Sequence, residues 1–436
     1  MHDRNTRAND AGQGSLPGPD DVLRQELPNQ AIVLARESFA ASSVNLLVNL
    51  STGSLDDPLE KSGLADLTAS ALTRGTHRRT FQEIYEILEA QGAMLSVGVG
   101  AHSTILTAKG LAEDTESMLE LISDVLFEPT FPEGEVELLR GQKLTALAIR
   151  DEETRAVAQQ AFNDLAYEDH PYRVPSDGFR ETVVPLVSGD LRNFHERTYG
   201  PQNMIIVVVG AIQRQNAADL VAKHLGGWEN THQKPRADLP PTKPLKARVR
   251  RDAFLAGKVQ SDIIIGVPGP RRKDQDYLPA ALGNSALGRF GMMGRIGEVV
   301  REQAGLAYYA YSSVVGGLGP GPWQVMAGVN PANLERAIDL ILQELRHVFS
   351  DGITAQELAD NQANFIGRLP LRLESNMGVA SALMHIERYG LGLDYYRRFA
   401  QEISAVRLED VHRALKAYLN PDRVAIGVAG PTGKGD

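Results

Sequence analysis

Two segments 220 residues apart carry nearly the same pattern, and that repeat constrains the fold more than any other feature of the chain. Pro201-Gln-Asn-Met-Ile-Ile-Val-Val-Val-Gly210 stands beside Pro421-Asp-Arg-Val-Ala-Ile-Gly-Val-Ala-Gly430. Each is a proline-led turn followed by a short apolar run closed by glycine, the signal of a buried strand that completes a sheet. A second pair sets Glu116, Leu119, Leu121 and Ile122 beside Glu335, Ile338, Leu340 and Ile341 at an offset of 219. Met118, Leu121, Ile122, Val125 and Leu126 follow helical spacing, which predicts an amphipathic helix with Asp114 or Thr115 capping its start. Nearly equal offsets in independent segments predict an internal duplication.

The break between the copies is also visible. Between residues 228 and 246, Pro235, Pro240, Pro241 and Pro244 fall among polar residues, a composition that resists helix and sheet alike. We expect a linker over 229–246, an N-terminal domain over 22–228, a C-terminal domain over 247–436 and a loose polar tail over 1–21. A chain of 436 residues exceeds what one core usually serves. Alternating strands are expected at 43–50, 94–99 and 103–109, with helices around Gly63 and Thr80 and over 134–163. That order suits an α+β fold: two similar domains, each a mostly antiparallel sheet with helices packed on one face.

Composition narrows the functions. With 45 basic against 55 acidic side chains the formal charge is -10, which disfavours nucleic acid as a partner. The absence of cysteine excludes a disulfide, a thiolate metal site and a cysteine nucleophile. The longest apolar run, Met204 to Ile212, is far short of the ~20 residues a spanning helix needs. The polar N-terminus has no apolar stretch of the kind a secretory signal uses. We therefore expect a cytoplasmic protein that does not enter membranes.

The run Asn193-Phe-His-Glu-Arg-Thr-Tyr-Gly-Pro-Gln-Asn203, followed by Met-Ile-Ile-Val-Val-Val-Gly, resembles a signature of the pitrilysin/insulinase-type zinc peptidases. Leu72-Thr-Arg-Gly-Thr76, Tyr167-Glu-Asp-His-Pro-Tyr172 and Arg301-Glu-Gln-Ala-Gly-Leu-Ala-Tyr308 resemble the same family in the same order. The chain looks similar to the short bacterial members of that family. The resemblance implies two α+β domains per subunit and a second subunit that completes a chamber around a peptide.

Active members of that family carry H-x-x-E-H on a helix, where two histidines one turn apart hold zinc and the glutamate takes a proton from water. Anchoring on Gly63 and on Arg74-Gly-Thr76, the five positions fall on Asp66, Leu67, Thr68, Ala69 and Ser70. The family's further ligand, a glutamate on a second helix, would fall within residues 138–150, LLRGQKLTALAIR, which contain no carboxylate. The expected metal ligands are none, with Asp66, Ala69 and Ser70 as degenerate positions. Asp66 alone lacks partners and serves equally as a carboxylate at a helix N-terminus. His77, His102, His170, His195 and His385 are scattered without helix-face pairing, so surface or core roles account for them.

In the family the second domain presents an arginine and a tyrosine seven residues apart to the other subunit's zinc site. Arg301 and Tyr308 have that spacing, with Tyr309 a competing choice and a surface arginine beside a strand tyrosine the plain alternative. The chemistry needs donors fixed on charge that develops only in the transition state. Gly288-Arg-Phe-Gly-Met-Met-Gly294 resembles a shortened form of the glycine-rich loop through which silent subunits touch substrate, through Gly288, Gly291 and Gly294. As a phosphate loop it fails, having no Gly-Lys-Ser/Thr. The expectation is a catalytically silent subunit of a heterodimeric zinc metallopeptidase, with no cofactor of its own, zinc in an H-x-x-E-H partner, and oligopeptides as ligands. The alternative is a non-enzymatic structural or peptide-binding subunit of the same fold.

Overall fold

The computed structural model describes residues 16–235, 238–288 and 294–431. Among these residues the strands make two sheets. The first contains β1 (Leu23–Glu26), β2 (Ile32–Glu37), β3 (Ser43–Leu50), β4 (Met94–Val99), β5 (Thr104–Leu111) and β6 (Ile205–Gly210), in the order β1-β2-β6-β3-β5-β4. The second contains β7 (Val249–Phe254), β8 (Ser261–Pro268), β9 (Ala307–Gly316), β10 (Pro320–Val329) and β11 (Ala425–Gly430), in the order β7-β11-β8-β10-β9. Without the edge strand β1, the two orders are the same. Each sheet has one parallel pair, β2 with β6 and β7 with β11, and is otherwise antiparallel. The repeated proline-led strands, β6 and β11, hold the same interior place in their sheets.

That interior place explains why Ile205–Gly210 is an unbroken apolar run rather than an alternating one. All six residues are buried, because both faces of the strand are covered. One face packs with the first half's own helices: Ile206 and Val208 join Val33, Val44, Leu46 and Val48 under Leu64–Ala71, Thr115–Phe127, Ser188–Thr198 and Arg214–Leu225. On the opposite face, Leu34, Leu47, Ile205, Val207 and Val209 join a core built mostly by the second half, where the helix Asn376–Arg388 supplies Val379, Ala380 and Leu383.

The second half receives the same service in return. The helix Thr154–Ala166 leaves its own sheet and sets Ala158, Phe162 and Ala166 against Ile264, Met326, Ala425 and Ala429. The approach is close enough that a Cβ on Gly427 would stand 2.2 Å from the Ala158 carbonyl oxygen, so the strand needs glycine there. The halves therefore exchange equivalent helices, and helices cover both faces of each sheet where the crossing helix lands.

The expected helix over 134–163 is two helices, Glu133–Arg150 and Thr154–Ala166. Asp151, Glu152 and Glu153 separate them, and three carboxylates at a helix C-terminus oppose the macrodipole. The break lets the second helix cross over. The helix Thr115–Phe127 has Asp114 at its N-cap position with no side-chain cap bond, and Thr115 Oγ donates backwards to the Ala112 carbonyl instead. The described residues of 229–246 form neither helix nor strand.

Candidate functional site

The helix Leu64–Ala71 begins after Gly63, whose φ of +96° lets the chain enter the turn. The Asp57 carboxylate accepts from the Gly63 and Ala65 backbone N–H groups, each at 2.8 Å. Burial pushes this carboxyl up to about 7, against the pull of those two bonds. Of the five metal-motif positions, Leu67, Thr68 and Ala69 are buried, and Ser70 Oγ donates to the Asp66 backbone carbonyl at 2.9 Å.

Asp66 is ion-paired with Lys143, on the helix Glu133–Arg150. This is the helix on which the resemblance places the second-helix carboxylate. A lysine ammonium stands against the one carboxylate on the first helix, so a fixed cation already neutralises the position a dication would need. Among the described residues no three His, Asp or Glu side chains converge on a point. The residues present do not fit zinc. Sequence reasoning misses Lys143 because the family pattern asks residues 138–150 for a carboxylate, while the informative residue there is a cation.

The pairing makes a prediction about metal binding. Asp66→His with Ser70→His restores two ligands one turn apart, but leaves Lys143 repelling the metal. Adding Lys143→Glu removes that charge and supplies the third ligand of a His2Glu set. Metal analysis after dialysis is expected to find one zinc per chain in the triple variant, and none in the double variant or in the unmodified chain. A zinc-loaded unmodified chain would contradict the reading of this site.

Arg301 and Tyr308 flank the turn that leads into the second sheet's edge strand. Arg301 lies in a wide helical turn, Glu298–Gln303, that ends as Gly305 adopts a φ of +65° and leads into β9. The turn is held by bonds from Gly305 N to the Arg301 carbonyl at 3.1 Å and from Leu306 N to the Val300 carbonyl at 3.0 Å, over the buried side chains of Val300 and Leu306. The Arg301 side chain is one-third exposed, with Glu302 3.6 Å away, and Tyr308 is 63% exposed. Strand alternation turns Tyr309 the other way. Its hydroxyl bonds the fully buried Asp262 carboxylate, which also receives Thr154, and burial followed by Asp262 pushes its phenol upward.

Gly288 ends the buried helix Tyr277–Gly288, and a Cβ there would lie 2.2 Å from the Ser312 backbone nitrogen. Gly294 has a φ of +64°, and a Cβ there would lie 2.7 Å from Gly288 N. These two glycines are needed for backbone contact with each other and with β9. Gly291 lies outside the described residues.

The signature around His195 is a packing device. Phe194 and Tyr199 are fully buried, and Asn203, at a φ of +58°, turns the chain into β6. His195 stacks on Tyr199 with ring centroids 4.7 Å apart, and its Nε2 donates to the Leu126 carbonyl at 2.8 Å, satisfying the end of Thr115–Phe127. Burial pushes this imidazole down to about 4, opposed by the Leu126 bond. The folded value lies below the ordinary ~6.5, so the unfolded chain takes up the proton first as pH falls. The contribution is complete above pH ~6.5 and is lost between ~6.5 and ~4, worth roughly 3 kcal/mol. Urea midpoints at pH 7 and pH 4.5 are expected to drop less for His195→Gln than for the unmodified chain.

Comparison with known proteins places this arrangement. Residues 32–176 match the model of the insulinase family, peptidase family M16, and residues 186–365 match that of the peptidase M16 inactive domain. An uncharacterized zinc protease of Mycobacterium leprae is 28% identical over 416 residues, covering 94% of this chain and 92% of that protein. A non-peptidase homologue of Helicobacter pylori is 22% identical over 372 residues, covering 84% of each chain. Among solved structures, a peptidase M16 inactive domain from Pseudomonas fluorescens superposes with a TM-score of 0.88 at 25% identity, over 95% of this chain and 99% of that one. A Helicobacter pylori protease superposes at 0.87 and 20% identity, over 96% and 100%. With both halves matched by models of one family and the fold shared over nearly its whole length, the chain belongs to the insulinase family of peptidases, family M16.

Proposed function

We propose that this chain is the catalytically silent subunit of a two-chain zinc peptidase, binding oligopeptides and donating transition-state contacts to a homologous H-x-x-E-H partner. The observation that carries the reading is the Asp66–Lys143 ion pair, which puts an internal cation where an active member needs a ligand set. A chain that cannot hold the metal can still shape and electrify the chamber of one that does. Arg301 and Tyr308 suit that role, because they follow each other across one anchored turn, Tyr308 faces outward, and Tyr309 is committed to Asp262. The guanidinium supplies a fixed charge and the phenol a neutral donor for the scissile carbonyl as its oxygen gains charge.

In this reading residues 22–228 and 247–436 act as the two domains of one subunit, joined through 229–246, and the assembly works in the cytoplasm. Among the described residues no helix is long and apolar enough to cross a membrane. The descriptions of the Pseudomonas fluorescens structure as an inactive domain and of the Helicobacter pylori relative as a non-peptidase homologue support the silent assignment. The test is to assay peptide hydrolysis by this chain alone, by an H-x-x-E-H homologue alone, and by the two mixed, with native mass measured for each. Activity that requires both chains is the expected result. A stable mixed complex without hydrolysis would instead identify a structural or peptide-binding subunit.

A further inference from the structure

The second half contains a cavity of about 510 Å³ between Tyr277–Gly288 and Ala355–Arg372. These helices are the duplicated counterparts of Leu64–Ala71 and Glu133–Arg150, so the cavity occupies the place that the degenerate metal position holds in the first half. Its charge is one-sided. Arg272, Arg368 and Arg372 line it, and among the described residues no carboxylate does. Nor does any of the three have a carboxylate within ion-pair distance among those residues.

Arg272 is 7% exposed and is held from several sides. Its guanidinium lies over the Tyr277 ring at 4.6 Å and the Tyr395 ring at 5.4 Å. Its Nη2 donates to the Tyr395 hydroxyl at 2.6 Å, and its Nε donates to His385 Nε2 at 3.3 Å. None of these partners carries negative charge, and the neighbouring His385 is pushed down to about 4 by burial and then by Arg272, Arg372 and Arg388, so it is uncharged at neutral pH. A buried guanidinium without a counter-ion is costly in a chain that carries ten more acidic than basic residues. Arg368 and Arg372 stand one helical turn apart at the mouth, both exposed.

We propose that this cavity binds a phosphate-bearing small molecule, with Arg272 at the floor and Arg368 and Arg372 at the mouth. A monocarboxylate would balance one of three fixed positive charges, whereas a pyrophosphate group balances two or three. Guanidinium forks also match phosphate oxygens in pairs. The volume is in the range of small-molecule sites, and Tyr396, Phe365 and Phe399 offer ring faces beside the charged end.

The test is calorimetric titration of the full chain, at fixed ionic strength, with inorganic phosphate, pyrophosphate, ADP and citrate. One saturable pyrophosphate site per chain is expected, weakened about tenfold or more in the exposed double variant Arg368→Gln/Arg372→Gln. Arg272→Lys, which keeps the charge and loses the fork, should weaken it as well. ADP binding more tightly than pyrophosphate would identify a nucleotide site, and equal affinity a site for the phosphate group alone. The proposal is overturned by an absence of saturable binding, by affinity unchanged in the double variant, or by citrate binding as tightly as pyrophosphate. None of these outcomes depends on peptidase activity.

Discussion

In the proposed two-chain peptidase, Arg301→Ala is expected to lower kcat by about 10²–10³ while leaving assembly intact, and Tyr308→Phe to lower it in the same direction by less. The size follows from where the charge appears. A donor that meets the carbonyl oxygen only as it becomes an oxyanion contributes to the transition state and little to the ground state, so its loss appears in kcat more than in KM. Tyr309→Phe is the control for position: it strips a hydroxyl from the buried Asp262 carboxylate and is expected to reduce stability rather than turnover. Titrating one subunit against the other separates weakened association from slowed chemistry. Turnover at the unmodified rate with both Arg301→Ala and Tyr308→Phe fully assembled would remove these residues from the mechanism.

Phe162→Ala is expected to destabilise the whole chain by about 3–5 kcal/mol, the usual cost of deleting a fully buried aromatic ring. The distribution of that loss is the informative part. Phe162 belongs to the first half by sequence and packs on the second sheet, so its removal loosens a contact that both halves need. The chain's two tryptophans report the halves separately, since Trp228 lies in the first core and Trp323 in the second. In each single-tryptophan variant, made by Trp→Phe, the remaining tryptophan should report the same midpoint as the far-UV circular dichroism of that variant, and adding Phe162→Ala should lower the midpoint in both. A shift confined to Trp323 would mean that the halves unfold independently.

The fold class and the duplication were legible because they are written in local pattern. β3 and β4 follow from alternation, and the repeated strands β6 and β11 follow from proline, β-branched run and glycine. The exchange of helices was not legible. Ala158, Phe162 and Ala166 form an apolar stripe at i, i+4 and i+8, and such a stripe states that a helix is buried without stating which sheet it meets. At the positions of the metal motif, sequence shows absent ligand types one by one, but not that the Lys143 ammonium, 77 residues from Asp66, compensates it in space. Sequence also could not show that glycines 288 and 294 each have a backbone neighbour that a Cβ would strike.

The exchanged helices also set an order in time. While the chain is being made, β6 can join its sheet as soon as residue 210 has emerged, yet Asn376–Arg388 does not exist until much later. At ~5–20 residues per second the interval is roughly ten to thirty seconds. Throughout it, the face carrying Leu34, Leu47, Ile205, Val207 and Val209 stays bare on the ribosome-bound nascent chain. The newborn first half thus carries an uncovered apolar face throughout that interval, and a message truncated before codon 376 is expected to yield a sticky product rather than a small folded protein.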